Sequence, residues 1–244
     1  MNLFYVEDIP GDILDLPETE SYHISRVLRL KPGEKINLTD GKGNLFLTTI
    51  ERIDKKYVSV IMDECIREYE KRNYYLHIAI APTKNLERFE WFAEKATEIG
   101  VDEITPLVTE HSERRKLRYD RIEKIMIAAM KQSLKAYKPQ LNPIIKFGQF
   151  LENFNFTGEK YIATCMDTPR LGIDQIYTKG KDATVIIGPE GDFSPEELKI
   201  AFSKDFQAIS LGNSRLRTET AGVVTCYAVH LLNLTTKPIL KKHA

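Results

Sequence analysis

The chain has 244 residues, with 35 basic and 35 acidic side chains and three cysteines. That length suits one large or two small domains, and the cancelled charge leaves any contact with a polyanion to a local patch. Cys65, Cys165 and Cys226 are far apart and outside any CxxC spacing, which argues against a disulfide framework or a zinc site, so no metal is expected.

The opening MNLFYVEDIPGD has no basic region followed by an apolar core, so no signal peptide is read there. The most apolar late stretch, 221–234, is interrupted by His230 and Asn233 and is too short to cross a bilayer. A soluble, cytoplasmic protein is expected.

Residues up to about Glu64 read as all-β. KINLTDGKGNLFLTTIERI alternates apolar and polar residues on both sides of Asp40-Gly41-Lys42-Gly43, a hairpin with a glycine-rich turn. YVSVIMDE is a further strand, and SYHISRVLRLKPGE is a short helix or strand entering a Pro-Gly turn. Together they suggest a small barrel-like module, joined to the rest by the charged CIREYEKRNYY. The expected division is 1–70 and 71–244.

From Tyr75 the rhythm changes. LHIAIAP is a strand, and NLERFEWFAEKATEIG has helical spacing (Phe89, Phe92, Ala96, Ile99) with Gly100 as its stop. Trp91 is assigned to the apolar face of this helix, as core rather than as a base-stacking platform. DEITPLVTE is a strand, and YDRIEKIMIAAMKQSLKAY is an amphipathic helix expected to run to Pro139. KYIATCM, ATVIIG and FQAISLG follow as strands, with a helix after the second and a last helix from about Thr218. Alternating β and α units predict an α/β fold with a parallel sheet covered on both faces.

Two late loops stand out. VIIGPEGDFSPEEL is strand, tight loop and helix, with Ser194 as N-cap, Pro195 at the first helical position and Glu197 completing a capping box. Its glycines, Gly188 and Gly191, permit positive φ or a close backbone approach. AISLGNSRLRTETAG repeats the plan, with Thr218 as a possible cap. Arg217, a cation just before a helix N-terminus, works against the helix field by about 0.3–1 kcal/mol at an exposed site. It either faces an anion or is offset by a carboxylate such as Glu219. Neither loop is a P-loop or a dinucleotide fingerprint, and the chain has no GxSxG or HExxH. The residues alone indicate a ligand crevice built by two loops at strand ends.

IGPEGDFSPEE followed by LGNSRLRTETA, with KATEIGVDEITPLVTEHS, KQSLKAYKP and HISRVLRLKPGEKINLTDGKGN, resembles the SPOUT-class methyltransferase family that methylates N3 of a uridine in 16S ribosomal RNA. Nearly the whole chain takes part. Asp192 departs from the family pattern where a second glycine is usual, and Lys131 and Lys135 where Glu and Arg are. The resemblance implies an N-terminal PUA-like β-barrel that holds RNA, and a SPOUT domain with a C-terminal trefoil knot. It also implies S-adenosyl-L-methionine as cofactor, a homodimer, and 16S rRNA or the small ribosomal subunit as partner.

Carried over by position, the cofactor pocket draws on Thr164, Cys165 and Met166, on Gly188, Pro189, Glu190 and Gly191, and on Leu211, Gly212, Asn213, Ser214, Leu216 and Arg217. Leu211 and Leu216 could equally be core, and Glu190 a solvated loop acid. Uridine N3 must lose a proton to become a nucleophile, which calls for a base or for a cation beside the ring oxygens. Arg217 is the first candidate for the cation, and Glu219 for a base or for orienting Arg217. Arg26 and Arg29 form one basic cluster and Arg114, Arg115, Lys116, Arg118 and Arg121 another; the resemblance assigns both to phosphate contact rather than to a solvated face. His23 is read as structural or a minor RNA contact. Two competing readings are a SPOUT ribose 2′-O-methyltransferase and a noncatalytic RNA-binding ribosome assembly factor.

Overall fold

The computed structural model describes residues 2–234, and these fall into two compact units. Residues 2–71 with 127–138 make the first, and 72–126 with 139–234 make the second.

In the first unit, β1 (Leu3–Tyr5), β2 (Ile13–Asp15), β3 (Lys35–Thr39), β4 (Leu45–Ile53) and β5 (Val58–Ile66) form one sheet in the order β1-β3-β4-β5-β2. β1 and β3 pair in parallel and the other neighbours are antiparallel. The hairpin read from the alternating pattern is β3–β4. Its turn is held by the Asp40 carboxylate, which accepts from the amides of Lys42 and Asn44 at 2.7 and 3.3 Å. Phe4, Ile24, Leu38, Ile50 and Val60 fill the core.

This module is not all-β. α1 (Glu18–Tyr22) continues into a π-helical turn, His23–Val27, in which the Leu28 amide reaches back to the His23 carbonyl at 2.9 Å. Ile24 is fully buried against the sheet, and that packing decides between the helix and strand readings of the segment.

The second unit contains β6 (Leu76–Ile80), α2 (Leu86–Ile99), β7 (Glu103–Val108) and the start of α3 (Tyr119–Gln132). β8 (Gln140–Leu141), β9 (Ile145–Lys146), α4 (Phe147–Asn153), β10 (Glu159–Ala163), β11 (Leu171–Gly172) and α5 (Ile173–Ile176) follow. The unit ends with β12 (Ala183–Ile187), α6 (Pro195–Ser203), β13 (Gln207–Ser210) and α7 (Thr218–Asn233). The strands run β11-β13-β10-β12-β6-β7-β8, with β9 also on β7, and every pairing is parallel.

Successive side chains of a strand point to opposite faces. On one face Leu76, Ile78 and Ile80 of β6 and Val185 and Ile187 of β12 pack with Phe89 and Phe92 of α2 and Cys226 and Val229 of α7. On the other, Ala79, Ile162 and Ile186 pack with Phe150, Phe193, Leu198 and Phe206. The doubly covered parallel sheet expected from the βα rhythm is present.

α3 ends at Gln132, short of Pro139. Leu134 turns left-handed (φ +58°), and the chain goes on to pair with the hairpin turn. Gly43 N–H donates to the Ala136 carbonyl at 2.9 Å and Lys138 N–H to that of Gly41 at 2.8 Å. A Cβ on Gly43 would sit 2.3 Å from the Tyr137 ring, so this glycine is required by packing as well as by its φ of +98°. Lys131 is spent within the same unit, its amine 2.6 Å from the buried Glu20 carboxylate.

Candidate active site

The carboxyl ends of β10, β12 and β13 lie side by side, and the loops that leave them enclose a cavity of about 810 Å³. The first loop brings Thr164, Cys165 and Met166 to its wall, and the second Gly188, Pro189, Glu190 and Gly191. The third brings Leu211, Gly212, Asn213, Ser214, Leu216 and Arg217. Three segments separated by some twenty residues each thus converge. Leu211 and Leu216 do both things considered for them: they line the cavity and also pack on the core of α2 and α7.

The second loop is built as its residues suggest. Ser194 Oγ accepts from the Glu197 amide at 3.3 Å while the Glu197 carboxylate accepts from the Ser194 amide at 3.0 Å, with Pro195 opening α6. The left-handed φ falls on Asp192 (+61°) rather than on Gly188 or Gly191. A short polar side chain tolerates that region. The glycines instead make room for the protein itself. A Cβ on Gly188 would approach the Phe193 ring to 3.0 Å, and one on Gly191 would approach His111 Cβ to 3.0 Å.

Asp192 does what no local pattern shows. Its carboxylate accepts from the Cys165 amide at 2.7 Å, from Thr164 Oγ1 at 3.1 Å and from the Phe193 amide at 2.9 Å. The first loop is thereby fastened to the second. His111 Nδ1 lies 3.0 Å from the Asp192 carbonyl, and that hydrogen bond raises the imidazole pKa above its usual value. Arg170, also on the cavity wall, donates to the Met166 carbonyl at 2.6 Å. Glu190 is more than a solvated acid, since its Oε1 accepts from the Lys84 amide at 3.1 Å. Asp192 had one sequence signal, its departure from the family pattern; His111 had none, because its partner is 81 positions away, and Arg170, held to Met166 within its own loop, had none either.

Thr218 is the first residue of α7 and not its cap. The N-cap is Arg217, in extended conformation (φ −72°, ψ 156°) and without a side-chain cap. The Thr218 hydroxyl is drawn away to donate to the Gly188 carbonyl at 3.1 Å, joining the third loop to the second. Arg217 is exposed and makes no ion pair among the described residues. The carboxylate considered as its structural partner, Glu219, is buried and lies instead 3.8 Å from Arg88 Nε.

Trp91 is not core. It stands on the exposed side of α2, while Phe89 and Phe92 take the buried side. Arg26 and Arg29 are exposed in the first unit, and Arg114, Arg115, Lys116 and Arg118 are exposed in the second. Within that cluster Arg121 is committed to Glu90 at 2.8 Å and Arg114 to the Lys84 carbonyl at 2.8 Å. Among the described residues no group of three or more His, Cys, Asp or Glu could hold a metal ion, and no helix is long and apolar enough to cross a membrane.

Comparison with known proteins agrees with this geometry. Residues 70–230 match the model of an RNA methyltransferase domain, and residues 16–63 that of an RNA methyltransferase PUA domain. The ribosomal RNA small subunit methyltransferase E of Rickettsia conorii is 30% identical over 215 residues, covering 86% of each chain. A probable rRNA methyltransferase of Porphyromonas gingivalis, known as a crystal structure, is 42% identical with a TM-score of 0.90, covering 96% of this chain and 98% of that one. The ribosomal RNA small subunit methyltransferase E of Neisseria gonorrhoeae, crystallised with S-adenosyl methionine bound, is 26% identical with a TM-score of 0.86 over 96% of this chain and 98% of that one. With its parallel sheet, its PUA-like N-terminal module and both family models matched, the chain belongs to the RNA methyltransferase family that includes the ribosomal RNA small subunit methyltransferases E.

Proposed function

We propose that this protein transfers a methyl group from S-adenosylmethionine to N3 of a uridine in 16S ribosomal RNA. The observation that carries this reading is the convergence of the three loops on one cavity in a chain of this family. The cavity suits the cofactor. Its volume of about 810 Å³ is in the range of small-molecule sites. Ala163, Ile209, Leu211 and Leu216 offer apolar surface for a nucleoside, and the carboxylates of Glu190 and Asp192 favour a cationic ligand.

When bound, the cofactor supplies an electrophilic methyl group on a cationic sulfur. The chain's part is to hold and align the reactants, which supplies much of the acceleration of an in-line displacement. Arg217 stabilises the negative charge spreading onto the uracil oxygens, a role supported by its position on the cavity wall and by its lack of an ion pair among the described residues. No step needs a metal. The exposed cations Arg26 and Arg29, and Arg115, Lys116 and Arg118, supply phosphate contacts that fix the position of the RNA. A substrate in ribosomal RNA supports a cytoplasmic location.

The proposal extends to architecture. The N-terminal module, about 1–70, serves RNA binding and the remainder serves catalysis, with the C-terminal segments threaded as a trefoil knot. Insertion of β13 between β10 and β11 and the Thr218–Gly188 hydrogen bond support the knot. Tyr227 and Leu231, exposed one turn apart on α7, with exposed Leu234 at its C-cap, support a homodimer. Light scattering giving the 28.1 kDa of one chain at working concentration would remove that part alone.

The decisive experiment has two arms. Calorimetry with a chelator present should show one S-adenosylmethionine site per chain, and mass spectrometry should map the new methyl group to a uridine base. A methyl on ribose oxygen would make it a 2′-O-methyltransferase. RNA binding with no cofactor binding would make it a noncatalytic assembly factor.

A further inference from the structure

The cavity between the loops provides for the methyl donor, and the acceptor base must lie beside it. A second depression, of about 580 Å³, shares Arg215, Leu216 and Arg217 with that cavity. The rest of its lining comes from α2, with Arg88 and Trp91 one turn apart, and from the first turn of α7, with Glu219.

Two features set it apart from ordinary surface. Trp91, the chain's only tryptophan, is 41% exposed on a helix whose neighbouring phenylalanines are buried. Its flat ring is thus withheld from the core and presented at the depression. Glu219, only 6% exposed, has one buried carboxylate oxygen, Oε2, with no hydrogen-bond partner among the described residues. A buried carboxylate oxygen left in this state is costly unless a donor arrives to satisfy it. Its ion-pair partner, Arg88 Nε, is 3.8 Å away, too far for a hydrogen bond, which leaves the guanidinium free to donate elsewhere.

Arg88, Glu219 and Arg217 together offer donor, acceptor, donor. The pairing edge of uracil, with O4, N3–H and O2, is acceptor, donor, acceptor. Resting on the methyltransferase reading above, we propose that this depression seats the acceptor uracil, flipped out of its RNA strand. The ring stacks on Trp91, N3–H is turned to the Glu219 carboxylate, and the flanking carbonyls are turned to the two guanidiniums. Extrusion is required because N3 lies on the edge hidden by base pairing. Cytosine presents an unprotonated N3 and an amino group on that edge, so it would set a lone pair against the carboxylate and a donor against a guanidinium. The depression therefore selects uracil over cytosine.

The single tryptophan makes the test direct. The RNA probe is a fragment of small-subunit rRNA carrying the uridine that the wild-type protein methylates, and its twin with cytidine at that position. The uridine fragment should quench Trp91 fluorescence, and the cytidine fragment should bind at least about tenfold more weakly, the discrimination of one well-read base position. Trp91→Leu should weaken RNA binding by roughly five- to a hundredfold, the range for losing one stacked base, with S-adenosylmethionine affinity by calorimetry unchanged. Glu219→Gln should narrow the uridine–cytidine difference.

The proposal is overturned if Trp91→Leu binds and methylates the fragment as the wild type does, or if quenching is the same for uridine and cytidine. It is equally overturned if Trp91 emission changes with protein concentration alone and Trp91→Leu abolishes a dimer, since a second copy would then cover the ring. Failure of the underlying function looks different: the wild-type protein would methylate no RNA at all.

Discussion

Asp192 Oδ2 accepts a hydrogen bond from the backbone amide of Cys165 at 2.7 Å, across 27 positions of sequence. Each hydrogen bond to a charged group contributes about 1.5–3 kcal/mol, and the same carboxylate also takes the Thr164 hydroxyl and its neighbour Phe193. These bonds hold two walls of the cavity in register. Asp192→Gly relieves the left-handed backbone but releases the first loop. Calorimetry should show S-adenosylmethionine affinity down at least about tenfold, the equivalent of one such bond. Asn, which tolerates the same φ and keeps one acceptor, should be intermediate. Wild-type affinity in the glycine variant would mean the clasp does not shape the site.

Arg217 has no carboxylate to offset it among the described residues, so its loss should spare the fold. Arg217→Ala should lower single-turnover methylation by about 10²–10³, the usual cost of one preorganised donor at developing negative charge. Lys should restore part of the rate, since it keeps the charge and lacks the planar fork. A variant that melts early yet transfers methyl at the normal rate would assign Arg217 a structural role.

Gly222 sits where α7 crosses α2, and a Cβ there would stand 2.5 Å from the Phe92 ring and 3.0 Å from Ile80. Alanine gains up to about 1 kcal/mol in helix propensity but overpacks a core that cannot yield, at about 1–3 kcal/mol. The clash should win. Urea unfolding of Gly222→Ala should show a lowered midpoint, and Phe92→Leu in the same chain should recover part of it.

His77 is buried between Thr105 and Thr184, its Nε2 2.7 Å from the Thr105 hydroxyl. Burial pushes its pKa below the ordinary value, with Glu103 at 3.7 Å opposing. The unfolded chain therefore takes up this proton first as pH falls, and the contribution of His77 to stability drops below about pH 6.5. Urea titrations at pH 7.5, 6 and 5 should show His77→Gln losing less stability over that range than wild type. Parallel pH profiles would remove His77 from the account.

Much of the second unit was legible because parallel buried strands and amphipathic helices leave strong periodic signals. Val185–Ile187, the Ser194–Glu197 box and the Gly100 stop formed as their residues require. The misses have tertiary causes. Helical spacing runs on to Tyr137, yet α3 stops at Gln132 because the next residues pair with Gly41 and Gly43. Thr218 is a good cap by type, but the Gly188 carbonyl competes for its hydroxyl. Trp91 lies among apolar helix positions, and only the packing of α7 on α2 shows which face is covered. The second and third loops of the site could be found from glycine and capping patterns; the Asp192 clasp that fastens the first loop to the second could not.

The bond from Thr39 Oγ1 to the Ala136 carbonyl spans 97 positions. During synthesis the N-terminal module must therefore wait. When Lys71 has left the ribosome, the Gly41–Gly43 turn still lacks the segment it pairs with, and the space beside Gly43 that Tyr137 will occupy stands open. β6, α2 and β7 emerge before residues 136–138 close it. The module is the first to begin and cannot be the first to finish, so an expression fragment that stops at residue 71 is missing part of its own fold, while one that restarts at residue 72 carries that part without its counterpart.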